Sequence, residues 1–337
     1  EIASCLVGSE MCIRDRHNTM HAHTHILVFT FMTVLLPAVT ACDMARQEER
    51  PSSTIGFAAS PLTKSVVENE EDMHEFAVWG YQTPAGGNGA DVNSVFNCEK
   101  VYRAGAGSAD DFWTYDRPRY WTEGNYSFYA LHPFPDEGSG VMAACSPDGF
   151  TSIELDSPAA DIDLMTAAAV REYRNAAPDH SSVAFNFMHL LSRVSVQVET
   201  GYGDISITSL TFSGVHDSGR YNGSIWDFSG QTADGIFSLP AENSPLNIVP
   251  GSPVPVLQNL LLIPQMPGND CRIVLDWTLD GTEQEQVTVS VPENPIWEPG
   301  KQYVYTIKLN NSQDVILNIN VLDWEDENYS MDFNDWQ

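Results

Sequence analysis

Apolar and polar residues alternate along short segments through most of this 337-residue chain. The alternation is clear in residues 194–198 (VSVQV), 287–291 (VTVSV) and 303–309 (YVYTIKL). Because successive side chains of a β-strand point to opposite faces, such a pattern indicates strands with one buried and one solvated face. Further strands are predicted at residues 74–81, 126–133, 150–155, 183–188, 205–212 and 315–322. The chain is therefore predicted to be all-β, since short strands at this spacing are typical of antiparallel sandwiches and barrels.

One segment and one break interrupt this pattern. Residues 163–173 (DLMTAAAVREY) are compatible with a short helical turn. Residues 175–182 (NAAPDHSS) are rich in turn-forming residues and are the best candidate for a linker. A boundary near residue 180 then divides the chain into an N-terminal domain, residues 55–180, and a C-terminal domain, residues 181–337.

The longest apolar run covers residues 26–41 and ends at Cys42. Its sixteen residues are fewer than the roughly 20 that a membrane-spanning helix needs, but they match the apolar region of a secretory signal peptide. The residues before the cysteine (VTA) resemble the lipobox of bacterial lipoproteins. Residues 20–41 are therefore predicted to be a lipoprotein signal peptide, Cys42 to carry the lipid, and residues 42–54 to form a lipidated tether. The alternative is an ordinary secretion signal followed by a cysteine by chance.

The first nineteen residues do not fit this leader. Residues 5–16 (CLVGSEMCIRDR) resemble the translation of a sequencing-library adapter. We interpret residues 1–19 as an adapter-derived artefact and Met20 as the native start, with a genuine N-terminal extension as the alternative. Residues 1–41 are excluded from the fold prediction on either interpretation.

The formal net charge of −30 limits the partners that the chain can have. Such a charge repels phosphate backbones, so nucleic acid is not an expected partner. It suits a soluble protein body outside a cell. A bacterial lipoprotein carries several lipid chains, which give such a body a stable membrane anchor.

Few residues point to chemistry. Beyond Cys42 the cysteines are Cys98, Cys145 and Cys271, without metal-ligand spacing, and they allow either a Cys98–Cys145 bridge or three buried free thiols. The common catalytic motifs are missing from the sequence. Acidic clusters at residues 161–164 and 323–327 are interpreted as solvated loops rather than Ca²⁺ ligands. The chain is predicted not to be an enzyme and to bind no metal or cofactor.

One aromatic cluster allows two interpretations. Trp113, Tyr115, Tyr120 and Trp121 lie in WTYDRPRYW, where nearby charges favour an exposed face. Exposed aromatic rings stack on sugars, so these four residues are candidates for ligand contact. Packing in the core is the alternative, because most aromatic side chains of a β-sandwich are buried.

Five further motifs together resemble the fimbrillin family, the pilin-like surface lipoproteins of type V fimbriae. They are YSFYALHPF (residues 126–134), DLMTA (163–167), VAFNFMHLLSRVSVQV (183–198), WEPGKQYVYTIKL (297–309) and VLDWED (321–326). They follow one another in the family's order, and with the lipobox the resemblance covers nearly the whole mature chain.

The resemblance implies two tandem transthyretin-like antiparallel β-sandwich domains and a non-catalytic role. It implies export as a lipoprotein to the outer membrane, where a protease trims an N-terminal segment, often after an arginine. A strand of the next subunit then fills the opened groove, which is strand addition to a sheet edge.

Two features of this chain bear on such an assembly. Arg46 is a candidate processing site, but Arg50 precedes a proline and no further arginine occurs before Arg103. Near the C-terminus, Tyr329, Met331 and Phe333 alternate with polar residues, as a groove-filling strand requires. These three residues are therefore a candidate donor strand, and an ordinary edge strand or frayed tail is the alternative.

The sequence thus predicts a structural or adhesive subunit, or an anchor or accessory subunit, of cell-surface fimbriae. Its expected partners are other fimbrial subunits, the outer membrane through Cys42, and a surface glycan or protein of a host or bacterium. The alternative function is a glycan-binding lipoprotein of a polysaccharide-uptake system. A hydrolase would need two carboxylates facing each other across a cleft.

Overall fold

Strands make up most of the residues that the structure describes. The computed structural model describes residues 54–61, 73–87, 91–105, 112–136, 138–156, 162–201, 203–311 and 314–324. Within these residues the strands are β1 (Phe57–Pro61), β2 (Glu75–Pro84), β3 (Asn93–Ala104), β4 (Phe112–Thr114), β5 (Gly124–His132), β6 (Val141–Ser146), β7 (Gly149–Leu155), β8 (Met165–Tyr173), β9 (Val183–His189), β10 (Ser192–Thr200), β11 (Ile205–Val215), β12 (Gly219–Tyr221), β13 (Trp226–Asp227), β14 (Gly235–Ser238), β15 (Leu246–Ile248), β16 (Val254–Leu262), β17 (Arg272–Leu279), β18 (Thr282–Glu283), β19 (Val287–Ser290), β20 (Lys301–Asn311) and β21 (Asp314–Asp323).

The same described ranges contain one short 3₁₀ turn, Ala241–Asn243, and no α-helix. A search of them for a helix long and apolar enough to cross a membrane finds none. The predicted all-β fold is confirmed, and the alternating segments of the sequence lie in β2, β5, β7, β9, β10, β11, β19, β20 and β21.

The first sheet has seven strands in the order β1-β9-β8-β5-β2-β3-β4. Its two edge strands, β1 and β4, contact each other, so the sheet curls around the apolar side chains of one face. These side chains form the first core, whose largest members include Phe76, Phe96, Phe128, Phe185 and Phe187.

A four-stranded sheet, β13-β12-β7-β6, contributes to a second apolar cluster with the other face of the first sheet. This middle core combines Trp79 of β2 and Ile153 of β7 with residues from the second half of the chain, including Leu261 and Trp324. The middle core therefore joins the two halves of the protein.

The second half forms a β-sandwich. One sheet has the order β16-β10-β20-β21, and the other has the order β14-β11-β17-β18, with β15 paired to β11 and β19 to β17. Inward side chains of the two sheets form a third core that includes Phe212, Trp277, Trp297, Tyr303 and Tyr305.

The predicted boundary near residue 180 falls in an exposed stretch, residues 174–182. Strands that follow this boundary still pair with strands of the first half. β9 pairs with β1 and β8, and β12 pairs with β7. The limits 55–180 and 181–337 remain a prediction, and these pairings favour an N-terminal unit that includes β9, β12 and β13.

The helical turn predicted for residues 163–173 is wrong, because this segment forms β8. β8 pairs with β5 over nine consecutive residues, from Gly124↔Tyr173 to His132↔Met165. The alanines of the segment favour a helix locally, but the sheet offers two neighbouring strands, and tertiary pairing overrides a weak local preference.

Candidate functional site

The edge strand β1 lies at the point where the first sheet closes on itself. It runs parallel to β9, with register Phe57↔Val183 to Pro61↔Phe187. The N–H of Val183 donates to the Gly56 carbonyl (2.8 Å). Before the strand, the Ile55 N–H donates to the Arg119 carbonyl (2.8 Å) and the Tyr115 hydroxyl donates to the Ile55 carbonyl (2.6 Å). The segment is thus held between β9 and the 115–121 loop.

Side chains of this segment fill an aromatic groove. Ile55 and Phe57 are buried in the first core. The Phe57 ring lies 5.2 Å from Phe96, 5.6 Å from Phe185, 5.7 Å from Tyr115 and 6.0 Å from Phe128, between ring centroids. If β1 left its place, these four rings would lose their cover and form an apolar groove beside β9.

The predicted aromatic cluster is divided between core and surface. Trp121 is buried and stacks on Tyr173 with centroids 5.3 Å apart. Trp113 packs against Phe76 in the first core, and Tyr115 contacts Phe57 as described above. Tyr120 is 52% exposed. Contact of these four residues with a ligand stays a prediction, and three of them occupy positions that packing requires.

Three motifs of the sequence meet in one buried cluster. Nδ1 of His189 lies 2.7 Å from Oδ1 of Asp163, and the two side chains are 1% and 3% exposed. The Trp324 indole stacks on the imidazole at 4.0 Å with an interplanar angle of 4°. The Arg193 guanidinium lies over the Trp324 ring at 5.9 Å. We call Asp163, His189 and Trp324 the clasp; they lie just before β8, at the end of β9 and directly after β21.

Sequence reasoning missed the clasp. It treated residues 161–164 as a solvated loop, which is wrong for Asp163 because this carboxylate is buried against an imidazole. Each of its three residues lies in a motif quoted for the family resemblance, and that shared membership was the available signal. Periodicity could not reveal it, since contacts between distant segments are not encoded in local alternation.

The three cysteines of the described residues, Cys98, Cys145 and Cys271, are free thiols. Burial raises the pKa of Cys145 and of Cys271 to about 12, and it also raises the pKa of Cys98. A thiol reacts through its thiolate, and the raised pKa values keep these three thiols protonated at neutral pH. No group of three or more His, Cys, Asp or Glu side chains in the described part of the chain is arranged to hold a metal ion.

A second concave feature lies where β5, β7 and β12 approach. This aromatic pocket has a volume of about 230 Å³ and is lined by Tyr129, Phe150, Tyr221, Met188 and Asp148, among others. The Tyr129 and Phe150 rings meet edge to face at 6.1 Å. The Tyr129 hydroxyl donates to the Pro147 carbonyl at 2.9 Å.

Several predicted sites lie outside the described residues. They are the lipidation site Cys42, the candidate processing site Arg46, and the candidate donor residues Tyr329, Met331 and Phe333. Each remains a prediction.

The comparisons with known proteins identify the family. Residues 63–324 match the model of a family described as fimbrillin-like. The chain belongs to the fimbrillin-like family. The match covers the clasp and four of the five quoted motifs in full, so the family resemblance predicted from those motifs is confirmed. Fimbrillin-like membership makes the chain a fimbrial or adhesive protein of the cell surface, a class of structural proteins and not of enzymes.

Solved structures similar to this fimbrillin-like chain include two proteins assigned to cell adhesion. The one from Bacteroides ovatus is 15% identical with a TM-score of 0.48, over 80% of this chain and 96% of the other. The one from Bacteroides uniformis is 17% identical with a TM-score of 0.45, over 80% and 98%. The fimbrial anchor protein Mfa2 from Porphyromonas gingivalis is 13% identical with a TM-score of 0.35, over 80% and 97%. Likeness at this level carries no argument about function, and no curated protein matches the sequence.

Proposed function

We propose that the protein is exported to the outer membrane as a lipoprotein and becomes a subunit of fimbriae, in which it joins its neighbours by strand exchange. The fimbrillin-like match supports the fimbrial role. The position of β1 at a sheet edge, with its apolar side chains in an aromatic groove, supports the exchange. It is the observation on which this proposal depends. Cys42 would carry the lipid, and a donor strand of another subunit would take the place of β1.

β1 has the properties of a strand that another strand could replace. β1 is five residues long and lies at a sheet edge, where in the described residues its ladder partner is β9 alone. Its affinity for the sheet comes from backbone hydrogen bonds and from apolar side chains in a groove. A different strand with large apolar residues at every second position can supply both. Tyr329, Met331 and Phe333 provide that pattern in the sequence.

The positions of the basic residues limit how the groove can open. Arg46 and Arg50 both precede β1, so cleavage at Arg46 would leave β1 on the chain and in its groove. The first Lys or Arg after β1 is Lys64. A subunit cut only at Arg46 would donate a strand without accepting one, which suits a terminal, anchor or accessory position. A subunit cut after Lys64 would lose Cys42 and its lipid together with β1, and it could both donate and accept a strand, which suits a stalk.

The test is an unheated denaturing gel of surface material sheared from cells that make the chain from Met20. A ladder of SDS-resistant multimers that collapses on boiling is expected, because exchanged strands dissociate slowly. Truncation after Asp326 removes the candidate donor strand but keeps Trp324, so it should abolish the ladder and leave a folded monomer. A ladder that survives this truncation would refute Tyr329–Phe333 as the donor. A single monomer band from the intact chain would refute strand exchange.

Three substitutions test lipid anchoring and groove opening separately from the donor strand. Cys42→Ala should move the protein from the membrane fraction to the soluble fraction, and continued membrane association would contradict the lipid site. Lys64→Gln should abolish the ladder if cleavage after β1 opens the groove, whereas Arg46→Gln should leave it unchanged. The opposite pattern would show that β1 is not the strand that is replaced.

Glycan binding is the second candidate function, and the aromatic pocket favours it. Tyr129, Phe150 and Tyr221 present rings beside the Asp148 carboxylate, a combination able to stack on a sugar and bind its hydroxyl groups. The volume of about 230 Å³ is below the range of roughly 300–1,000 Å³ for drug-sized ligands, so it suits a single sugar unit. Tyr221→Ala should weaken retention on immobilised polysaccharide. Tyr120→Ala tests the exposed member of the predicted cluster. If both variants are retained as strongly as the parent protein, neither site binds the polysaccharide.

A further inference from the structure

The last strand of the sandwich has an edge to which a further strand can be added. We propose that this edge of β21 is a homodimer interface, in which two copies pair β21 antiparallel to β21 around a twofold axis at Ile319. The pairing would join two four-stranded sheets into one of eight strands. It differs from strand exchange because nothing is removed from either subunit.

The regularity of β21 distinguishes it from the other sheet edges. In the described residues it pairs only with β20, in an unbroken register from Lys301↔Asp323 to Leu309↔Val315. Its residues 315–322 contain no proline, no charge and no bulge. Proteins normally protect an edge against pairing with charges, prolines, bulges or short length, and β21 has none of these along its middle.

The other described edges carry such protection. β16, at the opposite edge of the same sheet, contains Pro255, two register shifts against β10, and Asn259 with a φ of 54°. The remaining edges are short: β1 has five residues, β14 four, β4 three, and β13 and β18 two each. β6 has six residues and a register shift against β7. β21 is therefore the long, regular edge among those that the structure describes.

The apolar side chains of β21 are incompletely covered. Val315, Leu317 and Ile319 contact the third core but are only partly buried. Val321 is 47% exposed, and Ile316 on the outer face is 41% exposed. A neighbouring strand would cover both faces of this edge, since cross-strand side chains on one face lie about 5 Å apart.

The residue types of β21 are arranged symmetrically about Ile319 on both faces of the strand. In an antiparallel pair around Ile319, the inner face places Ile319 opposite Ile319 of the second copy and Leu317 opposite Val321. The outer face places Ile316 opposite Leu322 and Asn318 opposite Asn320. Apolar residues thus meet apolar residues, and amides meet amides. An axis at Asn318 would instead place Ile316 opposite Asn320, so the pattern favours both a second copy as the occupant and one register.

The charges also fit this arrangement. With the axis at Ile319, Asp323 lies opposite Val315 of the other copy, so like charges do not face each other in the paired segment. The net charge of −30 on each copy opposes association over longer distances. Salt screens such repulsion, so the dimer should become tighter as salt is raised from low concentration.

The test uses the chain from Cys42 with Cys42→Ala, so that no lipid drives association, and sedimentation equilibrium to measure the dissociation constant. Asn318→Lys with Asn320→Lys places like charges opposite each other twice across the axis. Asn318→Asp with Asn320→Asp does the same with the other sign. Each double variant should raise the dissociation constant by at least about tenfold, because like charges directly opposite on paired strands are destabilising.

Mixing the two double variants provides the decisive control. A one-to-one mixture should restore a dimer, since each introduced lysine of one variant would then face an introduced aspartate of the other. This restoration would also show that both variants fold. The pair Ile236→Lys and Ser238→Lys places the same charges on the exposed face of β14 and should leave the dimer intact. A monomeric parent chain at raised salt, dimeric double variants, or a mixture that stays monomeric would each overturn the proposal.

Truncation after Asp326 separates this interface from the proposed strand exchange. The dimer should survive the truncation, whereas the SDS-resistant ladder should not. Loss of the dimer on truncation would overturn the proposal and would assign the contact to the C-terminal segment.

Discussion

Removal of the Asp163 carboxylate tests how much the clasp stabilises the fold. The carboxylate and the imidazole of His189 are 2.7 Å apart and almost fully buried. Truncating one partner of such a pair leaves the other buried polar group without its hydrogen bond, which typically costs about 1–3 kcal/mol. Asp163→Ala should therefore lower the free energy of unfolding by about this amount. Asp163→Asn keeps the shape and one neutral acceptor, so its cost should be roughly half, in line with the strength of neutral against charge-assisted hydrogen bonds.

The assay is urea unfolding followed by tryptophan fluorescence and circular dichroism. The matched control is Glu172→Ala, which removes an ion pair with Arg174 whose side chains are 51% and 63% exposed, and exposed pairs contribute about 1 kcal/mol at most. A double-mutant cycle with His189→Ala should give a coupling energy of at least about 1 kcal/mol. If Asp163→Ala costs no more than Glu172→Ala, the buried contact between Asp163 and His189 does not stabilise the fold.

Three further predictions concern packing, ionisation and reactivity. Gly80→Ala would place a Cβ 2.7 Å from the Phe96 ring and should cost about 1–3 kcal/mol in thermal unfolding, whereas Gly268→Ala, with open space around it, should be near neutral. Burial lowers the pKa of His132 below its unfolded value, so the unfolded chain binds this proton more tightly and stability should fall as pH drops below about 6.5. His132→Gln should flatten that slope in pH-dependent unfolding, and an unchanged slope would exclude His132 as its source. In a chain that begins at residue 42 and carries Cys42→Ala, the thiols of Cys98, Cys145 and Cys271 should react with a thiol reagent much more slowly in the native state than in denaturant, and equal rates would contradict their raised pKa values.

The sequence predicted the strands well where alternation was strong. β10, β20 and β21 lie over segments in which apolar residues occupy every second position, and β11 keeps this pattern on either side of a register shift after Ile207. A strand with one buried face requires that pattern, so the local signal and the final structure have the same physical cause. In β8 the signal was weak, because its alanines and short apolar side chains are compatible with helix or strand, and only pairing with β5 decides between them.

The candidate site was less predictable because it depends on contacts between distant segments. The donor and lipid residues could be proposed from local patterns, but the groove under Phe57 exists only through the parallel pairing of β1 with β9. The clasp likewise needs the ends of β8, β9 and β21 to meet. Which strand ends lie together is determined by the topology of the fold. Sequences with the same local alternation can adopt different topologies.

The pairing of β12 with β7 has a consequence for how the chain reaches its native state. The sheet that covers the outer face of the first half is completed by Gly219–Tyr221 and then by Trp226–Asp227, which come late in the chain. A chain that folds from its N-terminus therefore cannot finish its first half until more than half of its length is available. Contacts between such distant residues slow folding. We expect the first half to be sensitive to proteolysis until β12 has paired with β7.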